Sequence, residues 1–186
     1  MTTTQTKLGR FERTTKFLES LHHRIDSDNG AKAVLKRALS GEPKHIRAIY
    51  PMVLPSLESI SEWQQDVWIL VACLSVYYPQ DMRKEQKNFG HSCRELANTT
   101  QSKGANRRFR SLLDTSLSDV RSPLTALVRQ IKSKEIRIDY PLLIVDLCQW
   151  EYPDQYIQDQ WARTFWGASS NQLNQSESQA IDLQND

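Results

Sequence analysis

Between Trp63 and Tyr77 a helix would carry apolar side chains on every face. Trp63, Val67, Trp68, Ile69, Leu70, Val71, Ala72, Cys73, Leu74, Val76 and Tyr77 leave no polar stripe. Such a helix is stable in water only when other elements wrap it, so this segment is expected at the centre of a core. No Lys, Arg or His occurs from Pro51 to Asp81, which suits that place. Ser59-Ile60-Ser61-Glu62 reads as a capping box at its start, and Pro79 ends it. The longest candidate for a membrane span, Val67 to Tyr78, is shorter than the roughly 20 residues a bilayer requires, so no membrane partner is expected.

The wrapping segments are helical too. Phe11, Leu18, Leu21 and Ile25 recur on one face, and Asp26-Ser27-Asp28-Asn29-Gly30 then ends that helix and offers caps for the next. Ala31, Val34, Leu35, Ala38 and Leu39 form a second stripe, stopped by Gly41. A short turn from Ile46 to Tyr50 is expected to close at Pro51. Further on, a helix near Phe89 to Asn98 precedes a polar loop from Asn98 to Gly104. Ala105, Phe109, Leu112 and Leu113 make the next stripe. Ser122-Pro123 is read as a cap with proline at the first helical position, ahead of Leu124, Leu127, Val128 and Ile131. Asp139 caps Tyr140 to Trp150, and Pro153 opens a last helix through Trp161 and Phe165 to Trp166. Ile136-Arg137-Ile138-Asp139 is the nearest approach to a strand pattern and is too short for one.

The fold class is therefore all-α, two small helical bundles packed together with no significant sheet. The expected division is a flexible N-terminus over 1–7, an N-terminal bundle over 8–98, a C-terminal bundle over 99–167 and a disordered polar tail over 168–186. Five tryptophans, Trp63, Trp68, Trp150, Trp161 and Trp166, fall at helical spacing and are read as core. The odd, widely spaced Cys73, Cys93 and Cys148 suit reduced thiols in a cytoplasm.

Catalytic chemistry finds little support. His22 and His23 are adjacent and diverge around their helix, His45 and His91 are isolated, and neither CxxC nor HExxH spacing occurs, so no metal site is expected. No GxSxG elbow or P-loop is present, and no cofactor or catalytic residue is assigned. Asp139 and Asp146 are spaced to share a helix face as a nuclease pair would, but Asp139 is better used as a cap and Asp146 is read as facing away from the core.

Charge is more informative. Arg83, Lys84, Lys87, Arg94, Lys103, Arg107, Arg108 and Arg110 crowd the stretch from Met82 to Arg110 against Glu85 and Glu95. From Ile138 onward Arg163 is the single base against eight acids. The net charge of +2 hides this polarity. Screening limits each charge to a reach of about 10 Å, so a polyanion meets the basic stretches and not the average. Candidate nucleic-acid contacts are Lys32, Lys36 and Arg37, then Arg107, Arg108 and Arg110, and finally Arg121, Arg129 and Lys132. A solvated basic face without a ligand is the competing reading.

Four segments resemble one known family. Gly30-Ala31-Lys32-Ala33-Val34-Leu35-Lys36-Arg37-Ala38-Leu39 and Arg107-Arg108-Phe109-Arg110-Ser111-Leu112-Leu113 are similar to basic helices of CasB, the small subunit of type I-E CRISPR Cascade complexes. The stretch from Asp139-Tyr140-Pro141-Leu142 through Asp146-Leu147 to Trp150 resembles that family's DYxxLxxDLxxW segment, and Trp161-Ala162-Arg163-Thr164-Phe165-Trp166 its closing segment. The resemblance implies a non-catalytic all-helical subunit, present in two copies, packed on the backbone and large subunits. Its basic surface would support the crRNA, the target DNA and the displaced strand of an R-loop. Base pairing would then read sequence while protein charge holds backbone. The family's basic positions fall on Lys32, Lys36, Arg37, Arg107, Arg108 and Arg110. Lysine at two of the first three keeps charge but gives up bidentate phosphate binding. A purely protein-binding helical scaffold, with its acidic and basic halves meeting head to tail between copies, is the alternative.

Overall fold

The computed structural model describes residues 2–81, 87–100 and 103–167, so Arg83, Lys84 and the tail from Ala168 lie outside the described residues. Nine α-helices follow in order within them: α1 (Thr2–Ile25), α2 (Asn29–Ala38), α3 (Pro43–Val53), α4 (Glu62–Tyr77), α5 (Phe89–Thr100), α6 (Lys103–Leu113), α7 (Arg121–Ser133), α8 (Tyr140–Leu147) and α9 (Tyr156–Trp166). No strand occurs among the described residues, and no helix there is long and apolar enough to cross a membrane. The all-α class holds. The helix α1 takes in residues 2–7, which the sequence pattern set apart as a flexible start.

The apolar run becomes α4, and Val67 through Val76 are all buried. Helix α8 is its counterpart, with all eight residues buried. It lies against both α1 and α4, while α2 covers another side of α4 and α5 runs along α9. One continuous cluster of buried side chains runs from Phe17 to Phe165, so both halves of the chain feed the same core.

The end of α4 is where the second half attaches. The Tyr140 hydroxyl donates to the Tyr78 carbonyl at 2.9 Å and to the Leu74 carbonyl at 3.3 Å, and the Lys132 ammonium donates to the Tyr77 carbonyl at 3.0 Å. The Tyr77 and Tyr78 carbonyls lie at the end of the helix, where intrahelical donors run out, whereas the Leu74 carbonyl also accepts from the Tyr78 N–H at 2.9 Å. At the other side of the core, the Asp146 carboxylate accepts from the Trp161 indole N–H at 2.7 Å, joining α8 to α9. Asp146 is 1% exposed, which overturns its expected outward position. A buried carboxylate needs a charge-compatible donor, and the sequence pattern alone cannot reveal one fifteen residues away.

Several local expectations hold and others fail for identifiable reasons. Asp28 caps α2 by accepting from Ala31 N–H at 2.9 Å, and Asp139 caps α8 through Leu142 N–H at 3.0 Å. The capping box at Ser59 does not form. Ser61 is the residue before α4, its hydroxyl donating to Gln64 at 3.0 Å, while the Ser59 hydroxyl accepts from Arg13. Pro51 does not close its helix, because α3 continues to Val53. Pro51 and Arg47 both face solvent, so the hydrogen bond that proline removes is lost where water replaces it, while Ile49 and Val53 stay buried. Within the polar loop expected from Asn98 to Gly104, α5 reaches Thr100 and α6 starts at Lys103, and residues 101–102 lie outside the described residues. Ser122 is not a cap. The helix α7 starts at Arg121 behind a 3-10 turn (Leu117–Asp119), which leaves Pro123 within the first turn, where its missing N–H needs no partner.

The α5–α9 contact depends on Gly90. A Cβ there would lie 2.5 Å from the Trp161 carbonyl oxygen, a backbone atom held inside a helix. Gly90→Ala is therefore expected to destabilise the chain by about 2–3 kcal/mol, as overpacking against rigid backbone does. Chemical denaturation should show this as a lower midpoint with little change in slope; an unchanged midpoint would mean α5 and α9 separate at no cost.

Candidate nucleic-acid interface

The apolar stripe of α6 fixes where its arginines point. Ala105, Phe109 and Leu112 are buried, so Arg107, Arg108 and Arg110 are left on the exposed side. Phe109 stacks on Phe165 at 4.3 Å between ring centroids, and the half-exposed Trp166 lies against both rings. The Arg110 guanidinium sits 5.7 Å from the Trp166 centroid, a cation–π contact that steadies its planar head without neutralising it. A guanidinium presented this way retains its fork of N–H donors for oxyanions.

The other predicted cations divide by what they already touch. Lys36 and Arg37 are exposed on the last turns of α2. Lys32 donates to the Asp26 carbonyl at 2.5 Å and lies 3.9 Å from the Asp26 carboxylate, so it closes the preceding turn. Lys132 is held at the end of α4 by the Tyr77 carbonyl and lies 4.2 Å from the Tyr77 ring centroid. Arg129 is exposed on α7. Arg121, at the opposite end of α7, is partly covered and leans on Gly41, just beyond α2. Eleven residues of helix separate Arg121 from Lys132, or about 16 Å, so no single phosphate spans both.

The chain thus brings Arg121 to the end of α2, where Lys36 and Arg37 occur, and sets the α6 arginines on a helix packed against α7. Lys32 and Lys132 each donate to a backbone carbonyl, and Lys132 stays exposed. Two aromatic side chains read as core prove exposed: Trp63 is 53% and Trp166 44% accessible, whereas Trp68, Trp150 and Trp161 are buried. Helical spacing could not separate them, because a stripe marks a face and not how far the neighbouring helix extends over it. Arg47, exposed on α3, escaped notice in the sequence because only Lys44 accompanies it among the Lys and Arg residues of that helix. It faces a groove shared with Trp63 and Arg121.

Thiol chemistry is suppressed throughout. Burial pushes the Cys73 and Cys148 thiols up to about 12, and Cys93, fully enclosed, is also raised well above its ordinary value. Among the described residues no group of three or more His, Cys, Asp or Glu side chains is arranged to hold a metal ion.

Comparison with known proteins places this arrangement in context. The family model described as CRISPR-associated protein Cse2 matches residues 31–166. The CRISPR-associated protein Cse2 of Thermus thermophilus is 26% identical over 148 residues, 76% of this chain and 82% of the relative. The crystal structure of a Cse2-family protein from Thermus thermophilus superposes with a TM-score of 0.68 at 25% identity, covering 85% of this chain and 98% of the other. A chain of a structure described as a CRISPR RNA-guided surveillance complex shares the fold at a TM-score of 0.70 and 19% identity, with 92% and 98% coverage.

The raised thiols have a direct consequence. The thiolate is the reactive form, so all three cysteines are expected to resist alkylation by iodoacetamide at pH 8 in the native chain and to react together once it is unfolded. Because the folded chain keeps protons that the unfolded chain releases above about 9, stability should also fall as pH rises past that value. Rapid labelling of any one thiol in the folded protein would contradict the packing around it.

Proposed function

The chain belongs to the CRISPR-associated Cse2 family, and from that membership we propose that it is a non-catalytic helical subunit of an RNA-guided surveillance complex in the cytoplasm. Its exposed cations support the crRNA, the target DNA and the displaced strand, and so favour the open R-loop. It works alongside the backbone and large subunits, in two copies per complex.

The observation that carries this reading is α6. Its apolar stripe is locked into the core by Phe109, and three guanidinium groups, Arg107, Arg108 and Arg110, stand exposed on the remaining surface. Lys36, Arg37, Arg121 and Arg129 add further positive charge on α2 and α7. Contacts of this kind neutralise phosphates without reading bases, which suits a subunit whose sequence information comes from a guide strand. Exchange of a DNA duplex for a guide heteroduplex is nearly balanced, so a few kcal/mol of phosphate contact is enough to bias it.

A protein-binding scaffold is the second reading. It is favoured by Lys32 and Lys132, two of the nine predicted cations, which are engaged within the fold. The two readings differ in salt dependence. For the nucleic-acid reading, binding of the full chain to single-stranded DNA weakens with salt, and combining Arg107→Ala, Arg108→Ala and Arg110→Ala makes the log–log slope shallower by about 2, near 0.7 for each lost phosphate contact. In the assembled complex the same triple variant is expected to shorten R-loop lifetime at least tenfold. Intact assembly with an unchanged lifetime, or no retardation of DNA by the free chain at low salt, would favour the scaffold.

A further inference from the structure

A groove of about 550 Å³ opens between α3, α4 and the start of α7, within the range that holds small ligands. Its wall carries Arg47, Tyr50, Trp63, Asp66, Ser118 and Arg121. Three features set it apart from an ordinary surface fold. The Nη1 nitrogen of Arg121 is buried and has no hydrogen-bond partner among the described residues. Arg121 as a whole lines the groove, so its guanidinium charge acts at short range on whatever enters. Beside it, Gly41 adopts φ +77°, and a Cβ there would come within 3.0 Å of Arg121 Cδ, so bare backbone makes room for the guanidinium. Trp63, finally, is a large aromatic side chain left 53% exposed at the rim.

We infer that this groove accepts one unpaired nucleotide of a single strand, its phosphate on Arg121 and Arg47 and its base against Trp63. This deepens the nucleic-acid reading and rests on it. The oxyanion matches the two guanidinium groups, of Arg121 and Arg47, that line the groove. The indole offers a π-face, which a base can meet only when it is not stacked within a duplex. Asp66 excludes phosphate from its own end of the groove and so fixes the direction of the nucleotide. It is placed to accept from an exocyclic amino group, which cytosine and adenine have and thymine lacks. The site therefore distinguishes unpaired from paired nucleic acid, a distinction the α6 arginines alone do not make.

The test compares binding of the full-length chain to a single-stranded oligocytidylate and to an abasic strand of the same length. The wild type is expected to prefer the base-bearing strand about tenfold. Trp63→Ala should abolish that preference, and Trp63→Phe should restore most of it. Arg121→Gln should weaken both strands, and the combined α6 variant should weaken both without changing their ratio. Equal affinity of the wild type for the two strands, or a ratio unmoved by Trp63→Ala, would overturn the inference and leave the phosphate reading standing. If the wild type bound neither strand, the broader proposal would fail with it. If Trp63→Ala bound both strands as the wild type does but no longer entered the surveillance complex, the groove would be a seat for a partner protein and the inference would be wrong.

Discussion

Enclosure of α4 is the constraint on which the rest of the structure depends. A helix with apolar side chains on every face has to be covered on every side, and its terminal carbonyls need donors where water is excluded. The chain meets the first demand with helices from both halves, α2 and α1 on one hand and α7 and α8 on the other. It meets the second with the buried Tyr140, whose hydroxyl donates to the Tyr78 carbonyl, while Lys132 donates to the Tyr77 carbonyl at the exposed edge. Each Val, Leu or Ile fully buried along α4 contributes roughly 1.5–3 kcal/mol.

That arrangement determines the placement of charge. Once α7 is tied to the end of α4, its first residue, Arg121, falls beside Gly41, which lies just past the end of α2, and α6 packs on α7 with its stripe inward. The exposed guanidinium groups of α6 are then a consequence of burying Phe109 between Phe165 and the core. Core and basic surface are two faces of the same helices. Substitutions in the stripe should therefore affect function through stability, and substitutions on the exposed face through binding.

Much of this was legible in the residues. The stripes of α2, α6 and α7, the Asp28 and Asp139 caps and the central place of α4 all follow from local chemistry, because caps and periodicity act within one or two turns. What escaped detection acts over longer range. Asp146 looked solvent-facing until α9 brought the Trp161 indole to it. Trp63 and Trp166 shared their spacing with core residues, and only the extent of the neighbouring helices leaves them exposed. Pro51 read as a stop, yet its lost hydrogen bond faces water and the helix proceeds. The donations of Lys32 and Lys132 to the Asp26 and Tyr77 carbonyls were also out of sight, because backbone acceptors carry no signature in sequence.

In the function we propose, the exposed cations of α2, α3, α6 and α7, and not positive charge in general, face the nucleic acid. Arginine footprinting by phenylglyoxal with mass-spectrometric readout, on the full chain with and without a single-stranded oligonucleotide, tests it directly. Arg37, Arg47, Arg107, Arg108 and Arg110 should lose reactivity when the strand is bound, while Arg13 and Arg24 on α1 keep theirs. Protection spread evenly over all of them, or confined to α1, would contradict the account.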